Sequence, residues 1–289
     1  MNRSENMRGA VFMMLSMAGF VLNDTMIKLV AGELELFQAV FLRGIAATFL
    51  LGILAWHKGA LCYRPNRRDM KIIAWRSFAE VSATFCFLTA LFNMPLANAT
   101  AILQSLPLAV TLAASLFLGQ KVGWRRYLAI SLGFIGVLII IRPGTSGFNI
   151  YALWALAAVG FVTLRDLLSH RLNPATPSIF VALFTSVSVM AIAGIFSVTQ
   201  EWRAVPIVTM FYLGAAAGFI LIGYITAVTA MRHGEIAFVS PFRYSALIWA
   251  LVLGFFVFHD MPDGWTILGI TIVVGMGIFT FYRERKAAV

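Results

Sequence analysis

The sequence predicts an all-α polytopic membrane protein: ten transmembrane helices arranged as two inverted five-helix repeats. The first observation is composition. Apolar residues make up 61% of the 289 positions and charged residues 12%, with a mean hydropathy of +0.88, whereas soluble domains carry roughly a quarter charged residues. The second is spacing, because apolar runs of about 20 residues, each long enough to cross a bilayer, recur between turn signals. The third is an internal echo. Gly19-Phe20-Val21-Leu22-Asn23-Asp24 returns as Gly160-Phe161-Val162-Thr163-Leu164-Arg165-Asp166, and the run to Gln120 and Trp124 returns as the run to Asp260 and Trp265.

Taken in order, the spans are 9–31, 35–56, 70–92, 96–118, 124–142, 149–169, 177–198, 206–230, 235–258 and 264–282. Each reads as a helix, since an open strand leaves its backbone groups unsatisfied in lipid. Turn signals part them: Pro65-Asn66, Met94-Pro95, Pro143-Gly144, Asn173-Pro174, Pro206 and Pro262-Asp263-Gly264. The one boundary between repeats is Pro143 to Phe148, which divides the chain into 1–143 and 148–289. It is too short for a flexible linker, so the halves are expected to pack as one body. An odd number of spans per repeat inverts the second copy, as in carriers built around a central site. Gly133 and Gly136 in span five, Gly214 and Gly218 in span eight, and Gly269, Gly275 and Gly277 in span ten allow close helix approach, within a monomer or at a homodimer face.

The net charge of +10 would point to nucleic acid if it were clustered on a soluble face. Instead it follows topology. With the N-terminus inside, sixteen basic residues fall on the inner side: Arg3, Arg8, Lys58, Arg64, Arg67, Arg68, Lys71, Lys121, Arg125, Arg126, Arg165, Arg171, Arg232, Arg283, Arg285 and Lys286. Only Lys28, Arg142 and Arg203 fall outside. The positive-inside rule then places both termini in the cytoplasm, and no nucleic-acid partner is expected. The N-terminal tail lacks a small-residue cleavage pattern, so span one is expected to be retained. Short loops point to a bacterial inner membrane.

Charges at membrane depth are costly and normally face protein or a wet cavity. Arg43 lies mid-way along span two and Arg243 mid-way along span nine, neither with an acid within a turn of it on its own helix. Each is a candidate substrate-binding residue, or else a salt bridge to Glu80 or Asp24 that locks helices. Arg76 and Glu80, one turn apart in span three, share a face. They read as a structural pair near the inner leaflet, or Glu80 as a proton carrier. Asp24 and Lys28 form a second i,i+4 pair in span one, an outer gate or structural link, with Asn23 beside them as a candidate substrate contact. Pro107 in span four and Pro241 in span nine break corresponding helices, the pattern that marks a carrier's central site. Gln104 lies at the depth of the first break, and Tyr244 and Trp249 near the second; all three are candidate substrate contacts. Trp56, Trp75, Trp124, Trp154, Trp202 and Trp265 sit near span ends, as an interfacial belt requires.

Enzymatic readings find little support. Gly144-Thr145-Ser146-Gly147 matches a GxSG pattern but falls in a loop, and His57, His170, His233 and His259 lie at loops or span ends, away from any buried dyad. No P-loop is present, so ATP does not drive the chain directly. Cys62 and Cys86 form no disulfide framework or metal spacing. No catalytic residue, metal or cofactor is expected.

Arg76-Ser77, Met94-Pro95-Leu96-Ala97-Asn98-Ala99-Thr100-Ala101-Ile102, Leu118-Gly119-Gln120-Lys121-Val122-Gly123-Trp124-Arg125-Arg126, Ser240-Pro241-Phe242-Arg243-Tyr244 and Phe258-His259-Asp260 resemble the EamA-type branch of the drug/metabolite transporter superfamily. The resemblance covers roughly residues 8–284. It implies a cavity lined by spans one to four and six to nine, spans five and ten at the periphery, and alternating access without ATP. Family members often carry Glu at the ends of spans four and nine, where this chain has Gln120 and Asp260. The implied activity is secondary transport of a small organic metabolite across the inner membrane. Riboflavin or a similar vitamin taken up is the first expectation. Export of amino acids or other metabolites, or carriage of S-adenosylmethionine, is the alternative, and a membrane assembly or accessory role is the non-transport reading.

Overall fold

A computed structural model describes residues 3–119, 123–145, 147–169, 171–173, 175–233 and 236–287. Gln120, Lys121, Ser146, His170 and Pro174, named above, lie outside the described residues. Spans one to three are helices α1 (Arg3–Val30), α2 (Leu36–His57) and α3 (Arg67–Asn93). Span four is split into α4 (Leu96–Leu103) and α5 (Leu106–Leu118), and span five is α6 (Trp124–Ile141). Then follow α7 (Tyr151–Ser169), α8 (Ser178–Ser197) and α9 (Ile207–His233). Span nine is α10 (Ile236–Val239), a 3-10 stretch Ser240–Tyr244 and α11 (Ser245–Phe258), and span ten is α12 (Gly264–Ala287).

Nine helical stretches among the described residues are long and apolar enough to cross a membrane, α4 and α5 counting as one. The absent one is α3. Its 27 residues span about 40 Å at 1.5 Å per residue, but its first half carries Arg67, Arg68, Asp69, Lys71, Arg76 and Glu80. It packs along α7 and α8, both apolar spans, and so runs through the bundle with Asp69, Arg76 and Glu80 turned to protein, while Arg67, Arg68 and Lys71 stay exposed at its first turn and a half.

The first five spans do not form a block of their own. α1 packs on α9, α3 on α7, α2 on α8 and α6 on α12, while α11 touches α1 and α4, and α4 and α5 touch α7. Each major partnership joins an early span to a late one. The pairing is unchanged if spans one to five are exchanged with six to ten.

Lipid is as apolar as the helix faces, so close fit and hydrogen bonds hold the helices together more than burial does. Glycine supplies the fit. A Cβ on Gly269 would stand 2.6 Å from the Gly136 carbonyl oxygen, so α6 and α12 meet backbone to backbone. A Cβ on Gly19 would stand 3.0 Å from the Gly223 nitrogen, where Ser16 also donates to the Gly223 carbonyl at 2.7 Å. Gly214 and Gly218 differ: a Cβ on either meets open space, so this small-residue pair makes no close approach within the chain.

Both broken spans resume as helices ending at a left-handed residue, α5 at Gly119 (φ 67°) and α11 at His259 (φ 55°). Measured from those ends the breaks coincide, but the prolines do not. Pro107 opens α5, whereas Pro241 opens the 3-10 stretch before α11, more than a turn further back. Pro at a helix start loses no bond it would have made, so each proline fixes where a segment begins.

One end of the bundle is tied by polar contacts. The turn after α1 and the start of α2 meet the loop before α9: Arg203 pairs with Glu35 at 2.6 Å, Gln38 bonds the Arg203 backbone at 2.8 and 3.2 Å, the Phe37 amide donates to Gln200 at 3.2 Å, and Thr209 donates to Glu33. Arg142 pairs with Asp263 at the start of α12. Hydrogen bonds from Arg142 and Thr266 hold the Asp263 carboxyl below the usual carboxylate range. At the opposite end Asn66 caps α3, accepting from the Asp69 amide at 2.7 Å, and Tyr63 and Asp69 both meet Thr176.

Candidate functional site

A cavity of about 110 Å³ lies between α2, α3, α8 and α9. Its lining falls about the middle of each helix: Arg43 to Leu51 of α2, Arg76 to Thr84 of α3, Ala182 to Val189 of α8 and Ala217 to Tyr224 of α9. It therefore sits mid-way along the bundle, between the tied seam at one end and the 58–66 loop at the other. Arg43, Arg76 and Glu80 supply charge to its wall, Thr84, Thr185 and Ser186 hydroxyls, and Tyr224 its one aromatic ring.

Arg43 is buried, 8% exposed, on the α2 face toward α1. Its Nη1 donates to Asn23 Oδ1 at 3.3 Å, and Asn23 Nδ2 donates to Asp24 at 2.9 Å. Asn23 thus relays between a cation and an acid that make no direct ion pair, though Asp24 is the main charge attracting Arg43.

Glu80 pairs with Arg165 of α7 at 2.8 Å, and Arg165 also pairs with Asp166 at 2.9 Å. A guanidinium presents several donors in a planar fork, so one arginine can serve two acids. The expected Arg76–Glu80 pair does not form, because each group is taken by the opposite half of the chain. Arg76 Nε donates to Ser169 Oγ at 2.9 Å and its Nη1 to Thr185 Oγ1 at 2.8 Å. Arg165, expected at the inner surface, is instead the half-buried hinge of this network, four residues before α7 ends.

The Asp24–Lys28 pair does not form either. Lys28, at the end of α1, donates to the Met94 carbonyl, lies 4.0 Å from Asp260 and stands 5.1 Å from the Phe258 ring centre. It bolts α1 to the α3–α4 connection and the exit of α11, on the tied side.

Of the residues expected at the site, the cavity wall holds Arg43, Arg76 and Glu80, with Asn23 and Asp24 directly behind. Arg243, Tyr244, Trp249 and Gln104 lie outside it. Arg243 Nε is buried without a hydrogen-bond partner, attracted by Asp166 and repelled by Arg165. Tyr244 packs onto Gly277 of α12, away from the cavity. Trp249 is 38% exposed on the outside of α11, and the six span-end tryptophans are exposed too, five on their helices and Trp202 in the loop before α9. Six residues turn a helix about 240°, so Arg243 and Trp249 cannot share a face. Gln104 sits in the break between α4 and α5. The sequence reading missed Tyr224, Thr185, Ser169 and Arg165. Arg165 alone carried a signal, since the repeated segment ending at Asp166 contains it.

Apolar spans closed around an internal, charge-lined chamber define a polytopic membrane protein that handles a polar solute or ion inside the bilayer. Residues 7–142 match the EamA-like transporter family. It is 26% identical to an S-adenosylmethionine uptake transporter of Rickettsia felis over 285 residues, covering 96% of this chain and 94% of that one. It is 23% identical over 287 residues to the pseudopaline exporter CntI of Pseudomonas aeruginosa, covering 96% and 97%. It is 27% identical over 219 residues to a riboflavin transporter of Vibrio cholerae, covering 73% and 72%. A crystal structure at 16% identity aligns over the whole of both chains with a TM-score of 0.67, showing the same fold.

Replacing one member of a buried ion pair strands the other, at a cost of about 3 kcal/mol or more. Arg165→Gln should therefore lower the unfolding midpoint in detergent markedly, and adding Glu80→Gln should restore most of the loss. A single variant as stable as the parent would show that the pair bears no such load.

Proposed function

We propose that this chain is a secondary transporter that moves a small organic metabolite by alternating access, without an enzymatic step. The observation that carries the reading is the charged chamber mid-way along α2, α3, α8 and α9, with the polar seam tying the bundle at one end. Lipid-facing helices have no use for buried arginines, whereas a carrier needs a polar station that faces one side at a time. The halves 1–143 and 148–289 act as the two repeats in this reading, exchanging roles as the seam opens and the opposite end closes. The relatives named as transporters point the same way.

Among substrates, a charged metabolite of the S-adenosylmethionine kind fits better than riboflavin. One aromatic ring in the chamber gives a planar isoalloxazine little to stack on. The relatives named for S-adenosylmethionine also cover nearly the whole chain, whereas those named for riboflavin cover about 70%. Riboflavin remains the comparison substrate. Direction follows whichever gradient is present. Glu80 can take up a proton only by breaking its pair with Arg165, so Asp24, with no ion pair among the described residues, is the better candidate for proton coupling.

The orientation proposed is a bacterial inner membrane with both termini cytoplasmic. The three basic residues at the tied end, Lys28, Arg142 and Arg203, each have an acid partner. Lys58, Arg64, Arg67, Arg68 and Lys71 at the other end make no ion pair among the described residues, leaving their charge unmatched there as the positive-inside rule requires. Cys62 is exposed in that loop and Cys86 is buried. An impermeant maleimide should label Cys62 in inside-out vesicles and spare it in intact spheroplasts; labelling in spheroplasts would reverse the orientation.

Transport itself is tested by counterflow of radiolabelled S-adenosylmethionine, amino acids and riboflavin in proteoliposomes. At least one should exchange, and Arg43→Ala should slow that exchange by an order of magnitude or so, a loss typical of a buried charged contact, with insertion intact. Exchange of none of them, in protein that is folded and inserted, counts against the carrier reading.

A further inference from the structure

The charges inside the bundle do not balance, and the imbalance falls on one residue. Seven charged side chains lie at depth among the described residues: Asp24, Arg43, Arg76, Glu80, Arg165, Asp166 and Arg243. Arg165 serves both Glu80 and Asp166. Arg43 is matched to Asp24 through Asn23. Asp166 attracts both Arg243 and Arg76 but is already paired with Arg165, and of these two arginines only Arg76 lines the chamber. Arg76 is left with hydroxyls alone.

Those hydroxyls cannot neutralise it. Ser169 Oγ donates its proton to the Arg165 carbonyl at 2.8 Å and Thr185 Oγ1 donates to the Val181 carbonyl at 2.8 Å. Each is then held as an acceptor for Arg76, fixing the guanidinium by Nε and Nη1. Its Nη2 makes no hydrogen bond among the described residues, and Arg76 lines the cavity. Glu80 and Asp166 attract Arg76 and Arg165 repels it, but both acids are already committed to Arg165. The result is an oriented cation with a free donor facing the chamber and no acid of its own. A cation at this depth is costly unless an anion meets it, and an arginine fork is suited to carboxylate.

We propose that Arg76 is the docking point for a carboxylate of the transported solute, making it a specificity-determining residue. One surplus positive charge calls for one negative charge. A carboxylate supplies that, whereas a phosphate monoester brings between one and a half and two, roughly. The inference rests on the carrier reading above and narrows it to carboxylate-bearing metabolites, which sets riboflavin apart.

The test uses the purified full-length protein and thermal stabilisation by paired probes: S-adenosylmethionine against its decarboxylated form, and L-methionine against L-methioninamide, with riboflavin as a carboxylate-free reference. In at least one pair the acid should bind about tenfold tighter or more than its partner, the scale of one charge-assisted contact. Arg76→Gln should abolish that difference and Arg76→Lys should keep part of it. Because Arg76 is an unmet charge, ligand-free Arg76→Gln should be at least as stable as the parent, while a purely structural arginine would leave it less stable. The proposal is overturned if a carboxylate-free probe binds as tightly as its acid, if no acid stabilises the protein, or if Arg76→Gln lowers ligand-free stability. Riboflavin counterflow by the parent protein as fast as that of the best acid would also overturn it while leaving the carrier reading standing; exchange of no solute at all is the separate failure of that reading.

Discussion

The arrangement depends on the Glu80–Arg165 ion pair, 2.8 Å long and drawn from α3 and α7. A carboxylate or a guanidinium left alone at this depth is strongly unfavourable; together, with Asp166 on the far side of the fork, they are tolerated. The pair joins residues 85 positions apart and clamps an early span to a late one. It also fixes the α3 face that looks into the chamber, and so the place of Arg76 one turn away. Hydroxyls of α7 and α8 then hold Arg76 in position. The chamber is in this sense built outward from one salt bridge.

The interleaving of the halves gives the clamp mechanical meaning. Since α1 packs on α9, α3 on α7 and α2 on α8, no early helix can tilt without moving a late one. The glycine contacts between α6 and α12, and between α1 and α9, let backbones slide past at close range with no side chain in the way. The seam of Glu33, Glu35, Phe37 and Gln38 against Gln200, Arg203 and Thr209 is polar: its exposed Glu35–Arg203 pair can exchange with water at small cost, while Gln38 and Thr209 are buried. The strong interaction is central and the weak ones lie at the rim, a distribution suited to rocking around a fixed site.

Much of the fold was legible because the membrane imposes it. Nine spans announce themselves by length and apolarity, and their ends fall within a few residues of the turn signals. The break in span nine was readable from Pro241, but its register against Pro107 was not, because a proline can open a segment anywhere in its first turn. The site was legible only in part. Arg43, Arg76 and Glu80 stand out as charges in apolar sequence. Their partners do not, since Arg165 and Thr185 are brought to them by packing across the halves. Arg165 misled because a basic residue four positions from a helix end looks the same in sequence whether it snorkels to the surface or turns inward. Tyr244 and Trp249 misled by adjacency to Arg243, where the helical repeat turns them to other faces.

The central claim is that the tied seam and the chamber belong to one state of a two-state carrier. Its most direct test is a distance measurement across the seam by pulsed electron paramagnetic resonance. Spin labels would be placed at Gly32 and Glu201, both exposed, on the two sides of the seam. In the ligand-free protein the account predicts one short distance. Under exchange with a transported solute it predicts a second, longer population that grows with solute concentration. A single unchanged distance while counterflow proceeds would contradict it.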